Sequence, residues 1–250
     1  MKNNLHPDEH KFLEGPHSRR HELVFAIKVF FELVSGFRKF HFLGPCATVF
    51  GSARFGEDHP YYKLAEEMGA SLAGLGFAVM TGGGPGIMEA ANKGAQRVGG
   101  KSVGCNIILP KEQKPNKYLD YWININYFFL RKVLLFKYSY AFIVMPGGYG
   151  TLDEFFESIT LIQTGKMKHF PVVLIGKEYH RELYEYLQTR TGQGTISPRD
   201  LELFLFTDSV EEATQYLQEN AIKHFNLESS KTIKPIRLFG EVLKKFKRKD

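Results

Sequence analysis

The stretch Pro146-Gly147-Gly148-Tyr149-Gly150-Thr151-Leu152-Asp153-Glu154 lies between two apolar runs, Ala141-Phe142-Ile143-Val144-Met145 and Phe155-Phe156-Glu157-Ser158-Ile159-Thr160-Leu161-Ile162. The first run reads as a buried strand, and the spacing after Gly150 predicts a helix over 151–164. A strand that runs into glycine-rich backbone and continues as a helix makes an anion site. Glycine lets a ligand approach the backbone, and the helix start offers unpaired N–H groups at the positive end of its dipole. The design recurs where Ala78-Val79-Met80 leads into Thr81-Gly82-Gly83-Gly84-Pro85-Gly86 and then Ile87-Met88-Glu89-Ala90-Ala91-Asn92. Each loop has a carboxylate three or four residues beyond it, Glu154 and Glu89. Together they suggest a phosphorylated ligand and acid–base work.

Working outward, strands and helices alternate from Gly44 on. Strands are expected at Ala47–Phe50, Phe77–Met80, Ser102–Ile108, Ala141–Met145, Val172–Ile175 and Leu203–Phe206. Helices are expected at 60–74, 86–98, 127–138, 151–164, 179–188 and 209–222, with a surface loop at Thr191–Thr195. Short, continuously apolar strands joined by helices predict an α/β fold: three αβα layers around a mainly parallel sheet. Ligands of such sheets sit at the carboxyl ends of the strands, where both glycine loops and Phe50-Gly51-Ser52-Ala53-Arg54 fall. The organisation expected is a polar tail and N-terminal helix over 1–43, one domain over 44–226 and a basic tail over 227–250. The helix at 21–42 is apolar on most of its surface and needs a partner, either the core or a second subunit. The His-bearing residues 1–20 have no metal-ligand spacing and read as a mobile tail.

Composition narrows the function classes. Two cysteines, Cys46 and Cys105, give neither a disulfide framework nor a metal site, and free thiols fit a reducing cytoplasm. No apolar leader is seen, and the most apolar stretch, Leu23–Phe37, carries Lys28 and Glu32 and is too short to span a bilayer. The net charge of +6 lies wholly in residues 231–250, with eight Lys/Arg against two acids, while the other 230 residues balance. A neutral body makes nucleic acid an unexpected partner, and the tail reads as a solvated end.

Several chemistries are excluded. Glu89 and Pro85 do not fit a dinucleotide fingerprint, and Gly94…Gly100-Lys101-Ser102 has the wrong spacing and context for a Walker loop. No lysine stands in a strand-end loop to hold pyridoxal phosphate. Tyr149 cannot serve where a nucleophile elbow needs Ser or Cys. No cofactor or metal is expected.

The 146–154 stretch matches the PGGxGTxxE motif of the LOG (Lonely Guy) family, and Thr81–Asn92 matches that family's other glycine block. The chain resembles this family over about 45–222. The resemblance implies a Rossmann-like homodimer that hydrolyses the N-glycosidic bond of a nucleoside 5′-monophosphate, such as AMP or a cytokinin riboside monophosphate. Products are the free base and ribose 5-phosphate. An older "lysine decarboxylase" label attaches to many members, and the missing cofactor lysine argues against that activity here. The family's catalytic arginine lies in a Met-His-x-Arg-Lys pattern. Here Phe128-Phe129-Leu130-Arg131-Lys132 keeps Arg131 and Lys132 and replaces the Met-His pair, a change that bears on substrate identity more than on reaction type.

Such a reaction builds positive charge on the sugar and negative charge on the leaving base. The resemblance makes Arg131 and Glu154 the catalytic pair. Gly147, Gly148, Gly150 and Thr151 would anchor the 5′-phosphate, with Ser52, Gly83, Gly84, Glu89 and Lys132 as further substrate contacts. Bland readings stand beside these: Thr151-Leu152-Asp153-Glu154 fits a capping box, Glu89 a first-turn acid, and Asn92 a helix-surface amide as readily as a base reader. Phe128, Phe129 and Trp122 fit core packing as well as stacking on a base. The alternative function is a nucleotide-binding or carrier protein without turnover.

Overall fold

The structure is a computed structural model and describes residues 7–108 and 114–227. Seven strands form one sheet: β1 (Cys46–Phe50), β2 (Ala78–Thr81), β3 (Ser102–Ile107), β4 (Tyr121–Ile125), β5 (Ser139–Val144), β6 (Val172–Ile175) and β7 (Leu205–Thr207). Their order is β4-β3-β2-β1-β5-β6-β7, and every pairing is parallel. From β1 the chain winds outward to β4, then returns to lay β5 on the other side of β1. That reversal opens a crevice between the loops that leave β1 and β5, the usual ligand position in an open α/β sheet.

Alternation within the strands supplies both faces of the core. In β1, Cys46 and Phe50 join one apolar cluster while Ala47 and Val49 join the other. The first face is covered by α2 (Arg19–Phe40), α5 (Phe128–Tyr138), α6 (Tyr149–Gln163) and α7 (Arg181–Gly192). The second is covered by α3 (Pro60–Gly74), α4 (Ile87–Arg97) and α8 (Val210–Leu217). Thr48, the one polar residue of β1, is buried and shares a 2.6 Å hydrogen bond with the Ser139 hydroxyl, so its burial leaves no unmet group.

Two differences from the sequence reading have clear causes. β4 was not expected: its burial alternates, with Ile123 and Ile125 inside and Trp122 and Asn124 outside. As an edge strand buried on one side, it lacks the continuous apolar run that marks the central strands. Residues 7–13 form a short helix, α1 (Pro7–Leu13), rather than a mobile tail. Phe12 stacks on Phe25 of α2 with ring centroids 4.1 Å apart. The basic tail lies almost wholly outside the described residues. Among those described, no helix is long and apolar enough to cross a membrane.

α2 meets the core with Phe25, Gly36 and Phe40. Its other side leaves Leu23, Val24, Ile27, Phe30 and Phe31 exposed, a second apolar stripe at helical spacing.

Candidate active site

The loops leaving β1, β2 and β5 are tied into one floor by backbone hydrogen bonds. The Ser52 N–H donates to the Pro146 carbonyl and the Ile87 N–H to the Ser52 carbonyl, both at 2.9 Å. Ser52 therefore joins the two glycine loops through its main chain, and its hydroxyl accepts from the Arg54 N–H at 3.1 Å. A Cβ on Gly147 would collide with the Thr151 hydroxyl and with the Ser52 backbone, so only glycine permits this approach.

Helix α6 begins at Tyr149 with Gly148 as its N-cap, and no side chain caps it. Thr151 thus lies within the first turn and Glu154 in the second, which removes the capping-box reading of Thr151–Glu154. The helix instead opens its first N–H groups to the crevice, with Gly148, Tyr149 and Gly150 exposed.

Glu154 is 5% exposed, and its Oε2 has no hydrogen-bond partner. Burial pushes its carboxyl up to about 7, against the pull of Arg131 and Lys132; Glu157 and Asp153 add to the rise. Arg131 projects from the first turn of α5 onto the first glycine loop. Its Nε donates to the Cys105 carbonyl within β3, at 3.0 Å, and its guanidinium lies where a Cβ on Gly82 would be. The Arg131 and Glu154 charges both act on the buried Cys105 thiol, whose own burial drives it up to about 12. Lys132 turns instead to α6, pairing with Asp153 at 2.9 Å and with Glu157. Burial opposes its charge, but those two carboxylates more than offset this and hold its ammonium above the ordinary range.

The first glycine loop is braced by asparagines that sequence reasoning did not weigh or misread. Asn92 is fully buried rather than on the helix surface. Its Oδ1 accepts from the Thr81 hydroxyl at 2.7 Å and from the Asn116 amide at 3.0 Å. Asn116 also takes the Gly83 carbonyl through its N–H and the Gly84 carbonyl through its side chain. Gly83 has φ +76 and lies against the Asn106 carboxamide, so both conformation and space demand glycine. Glu89 sits in the first turn of α4 and acts on Tyr62 and Lys117. Ser52, Gly83, Gly84, Gly147, Gly148, Gly150, Thr151, Arg131 and Glu154 therefore gather around the loops leaving β1, β2 and β5, while Lys132 and Glu89 answer to other partners. Trp122, Phe128 and Phe129 are 40–48% exposed rather than core. Among the described residues, no group of three or more His, Cys, Asp or Glu could hold a metal ion.

The start of α5 is held from the N-terminal segment. The Glu32 carboxylate accepts from the Asn126 N–H at 2.6 Å and its amide at 2.8 Å, and Glu9 accepts from the Phe128 N–H at 2.9 Å. Tyr127, the N-cap of α5, offers no capping side chain of its own, so these carboxylates supply the cap.

A family model described as "possible lysine decarboxylase" matches residues 88–217. Over 190 residues the chain is 28% identical to the cytokinin riboside 5′-monophosphate phosphoribohydrolase LOG1 of Arabidopsis thaliana, covering 74% of this chain and 87% of that one. It is 33% identical over 157 residues to the cytokinin riboside 5′-monophosphate phosphoribohydrolase of Mycobacterium tuberculosis, covering 60% and 82%. Among solved structures, a molybdenum cofactor binding protein from Rippkaea orientalis shares the fold with a TM-score of 0.53 and 22% identity, over 70% of this chain and 96% of that one. The Moco carrier protein of Chlamydomonas reinhardtii does so at 0.53 and 24%, over 72% and 99%. With the family model spanning residues 88–217 and these relatives in agreement, the chain belongs to the LOG family, the one whose model carries the lysine decarboxylase description.

Proposed function

We propose that the protein is a phosphoribohydrolase that cleaves the N-glycosidic bond of a purine nucleoside 5′-monophosphate. Water adds across the bond, the C1′–N bond breaks, a C1′–O bond forms, and free base and ribose 5-phosphate leave. The observation that carries this reading is the buried Glu154 carboxyl with an unpartnered oxygen, titrating at about 7 beside Arg131 at the mouth of an anion loop. The N–H groups at 147–150 and the Thr151 hydroxyl bind the 5′-phosphate, the Thr151 N–H being held by the Gly148 carbonyl. Ionised Glu154 stabilises the ribosyl cation and takes the proton of the attacking water. Arg131 stays charged throughout and offsets the negative charge that develops on the leaving base.

The relatives named for this activity support it, and a buried Glu154 carboxyl within the electrostatic reach of Arg131 favours turnover over simple carriage. The likeness to cofactor carriers concerns the fold alone. AMP and cytokinin riboside monophosphates are the substrates to try first. The exposed stripe on α2 supports a homodimer, and two unpaired buried thiols fit a cytoplasmic setting. The test is base released from a panel of nucleoside 5′-monophosphates, with adenosine beside AMP. Release is expected from AMP-like substrates and little from adenosine, since remote phosphate binding positions the sugar. Equal turnover of the two would remove the anchor role of the loop.

A further inference from the structure

The loop between β6 and α7 (residues 176–180) touches three consecutive residues of the anion loop. Gly176, at φ +105, lies so close that a Cβ there would strike the Pro146 ring. The buried His180 imidazole hydrogen-bonds the Met145 backbone. The Tyr179 hydroxyl donates to the Gly147 carbonyl at 3.1 Å. From the other side, the β1 strand and its loop already hold the same residues: the Met145 N–H donates to the Phe50 carbonyl at 2.8 Å and the Ser52 N–H to the Pro146 carbonyl at 2.9 Å. The 176–180 loop is itself anchored, with the Gly176 N–H on the Thr207 carbonyl and the Lys177 N–H on the Asp208 carboxylate at 2.7 Å. The Tyr61 hydroxyl bonds the Tyr179 backbone, and the Tyr61 and Tyr179 rings meet edge to face at 6.1 Å.

The Gly147–Gly148 peptide is the point of interest. It is planar and trans, so its carbonyl and its N–H point in opposite directions. Whatever holds the Gly147 carbonyl therefore aims the Gly148 N–H, which stands at the N-cap of α6. With glycine on both sides of this bond, the chain there has little intrinsic preference and the plane can rotate. Among the described residues, the hydrogen bond on the Gly147 carbonyl comes from Tyr179.

We infer that Tyr179 is a positioning residue for phosphate recognition, its hydroxyl orienting the Gly147–Gly148 peptide so that the Gly148 N–H is preset for the 5′-phosphate. This rests on the phosphoribohydrolase reading above. Tyr179 acts through the peptide it bonds, and the rest of its ring is half-exposed, so removing the hydroxyl alone leaves packing intact.

The experiment compares the full-length protein with Tyr179→Phe. Ribose 5-phosphate binding is measured by calorimetry, turnover of AMP and of adenosine by base release, and melting temperature in parallel. In Tyr179→Phe, ribose 5-phosphate binding and KM for AMP are expected to weaken about five-fold, the scale of one hydrogen bond. The rate constant kcat should stay within about two-fold, the melting temperature should hold, and the residual adenosine activity should not change. Equal losses on AMP and adenosine, or unchanged ribose 5-phosphate affinity in the variant, would overturn the inference while the phosphate reading stands. Failure of the unmodified protein to bind ribose 5-phosphate would overturn both.

Discussion

At the scale of single residues, Glu154 carries the most consequence. Its carboxyl is raised from the ordinary range to about 7. Below pH 4.5 it is protonated in the folded and unfolded chain alike, and its burial costs nothing extra. As pH rises, the unfolded chain ionises first, so folding stability falls between 4.5 and about 7 by up to about 3 kcal/mol. Glu154→Gln should therefore melt higher than the parent at pH 8 and level with it at pH 4, as followed by thermal scans. The same substitution should lower turnover about 10²-fold or more, the usual weight of an electrostatic catalytic group. It should also flatten the parent's pH profile, in which kcat/KM climbs through about pH 7 to a plateau on the alkaline side. Near-normal base release by Glu154→Gln would end the catalytic assignment. For Arg131, the Ala variant should be nearly inactive in the same assay. Arg131→Lys should recover only part of the rate, because a point charge cannot both bond the Cys105 carbonyl and present a planar fork to substrate.

At the scale of elements, the frame was legible in the sequence because central parallel strands are apolar throughout. β1, β2, β5 and β6 were all marked by such runs, and the glycine loops fixed where the helices begin to within two residues. What escaped followed from partners distant in sequence. β4 alternates because one of its faces is open, and the capping of α5 by Glu9 and Glu32 joins residues 94 or more apart. Of the candidate site, the motifs marked the residues that gather at the glycine loops, Arg131, Thr151 and Glu154 among them, while Lys132 turned to α6; the bracing by Asn92 and Asn116 was not legible, since nothing local sets a bracing amide apart from a surface one. A packing test belongs here. α3 and α4 cross so closely that a Cβ on Gly94 would strike the Glu66 carbonyl, and one on Gly69 the Ala91 carbonyl. Gly94→Ala should lose about 1–3 kcal/mol in urea unfolding despite the better helix propensity of alanine, because backbone cannot yield as a side-chain tip can. A more stable variant would show that the two helices can separate freely.

At the scale of the whole molecule, the stripe on α2 sets an expectation for assembly. Sedimentation at micromolar concentration should give a mass near twice 28.6 kDa. Ile27→Lys with Phe31→Glu should shift it toward a single chain, and a clean monomer in the parent would refute dimerisation. The two thiols have a different use. Cys46 lies in β1 and Cys105 in β3, both wholly shielded, both driven by burial to about 12, and both in the face of the core beneath α2 and α5. Neither can meet an alkylating reagent until its strand opens, so labelling is a clock for excursions from the native state. Cys105 lends its carbonyl to Arg131, whereas Cys46 sits at the opposite end of its strand from the crevice. A ligand that seats Arg131 should slow modification of Cys105 more than that of Cys46. Occupancy could then be timed by mass spectrometry on the intact chain, without any turnover.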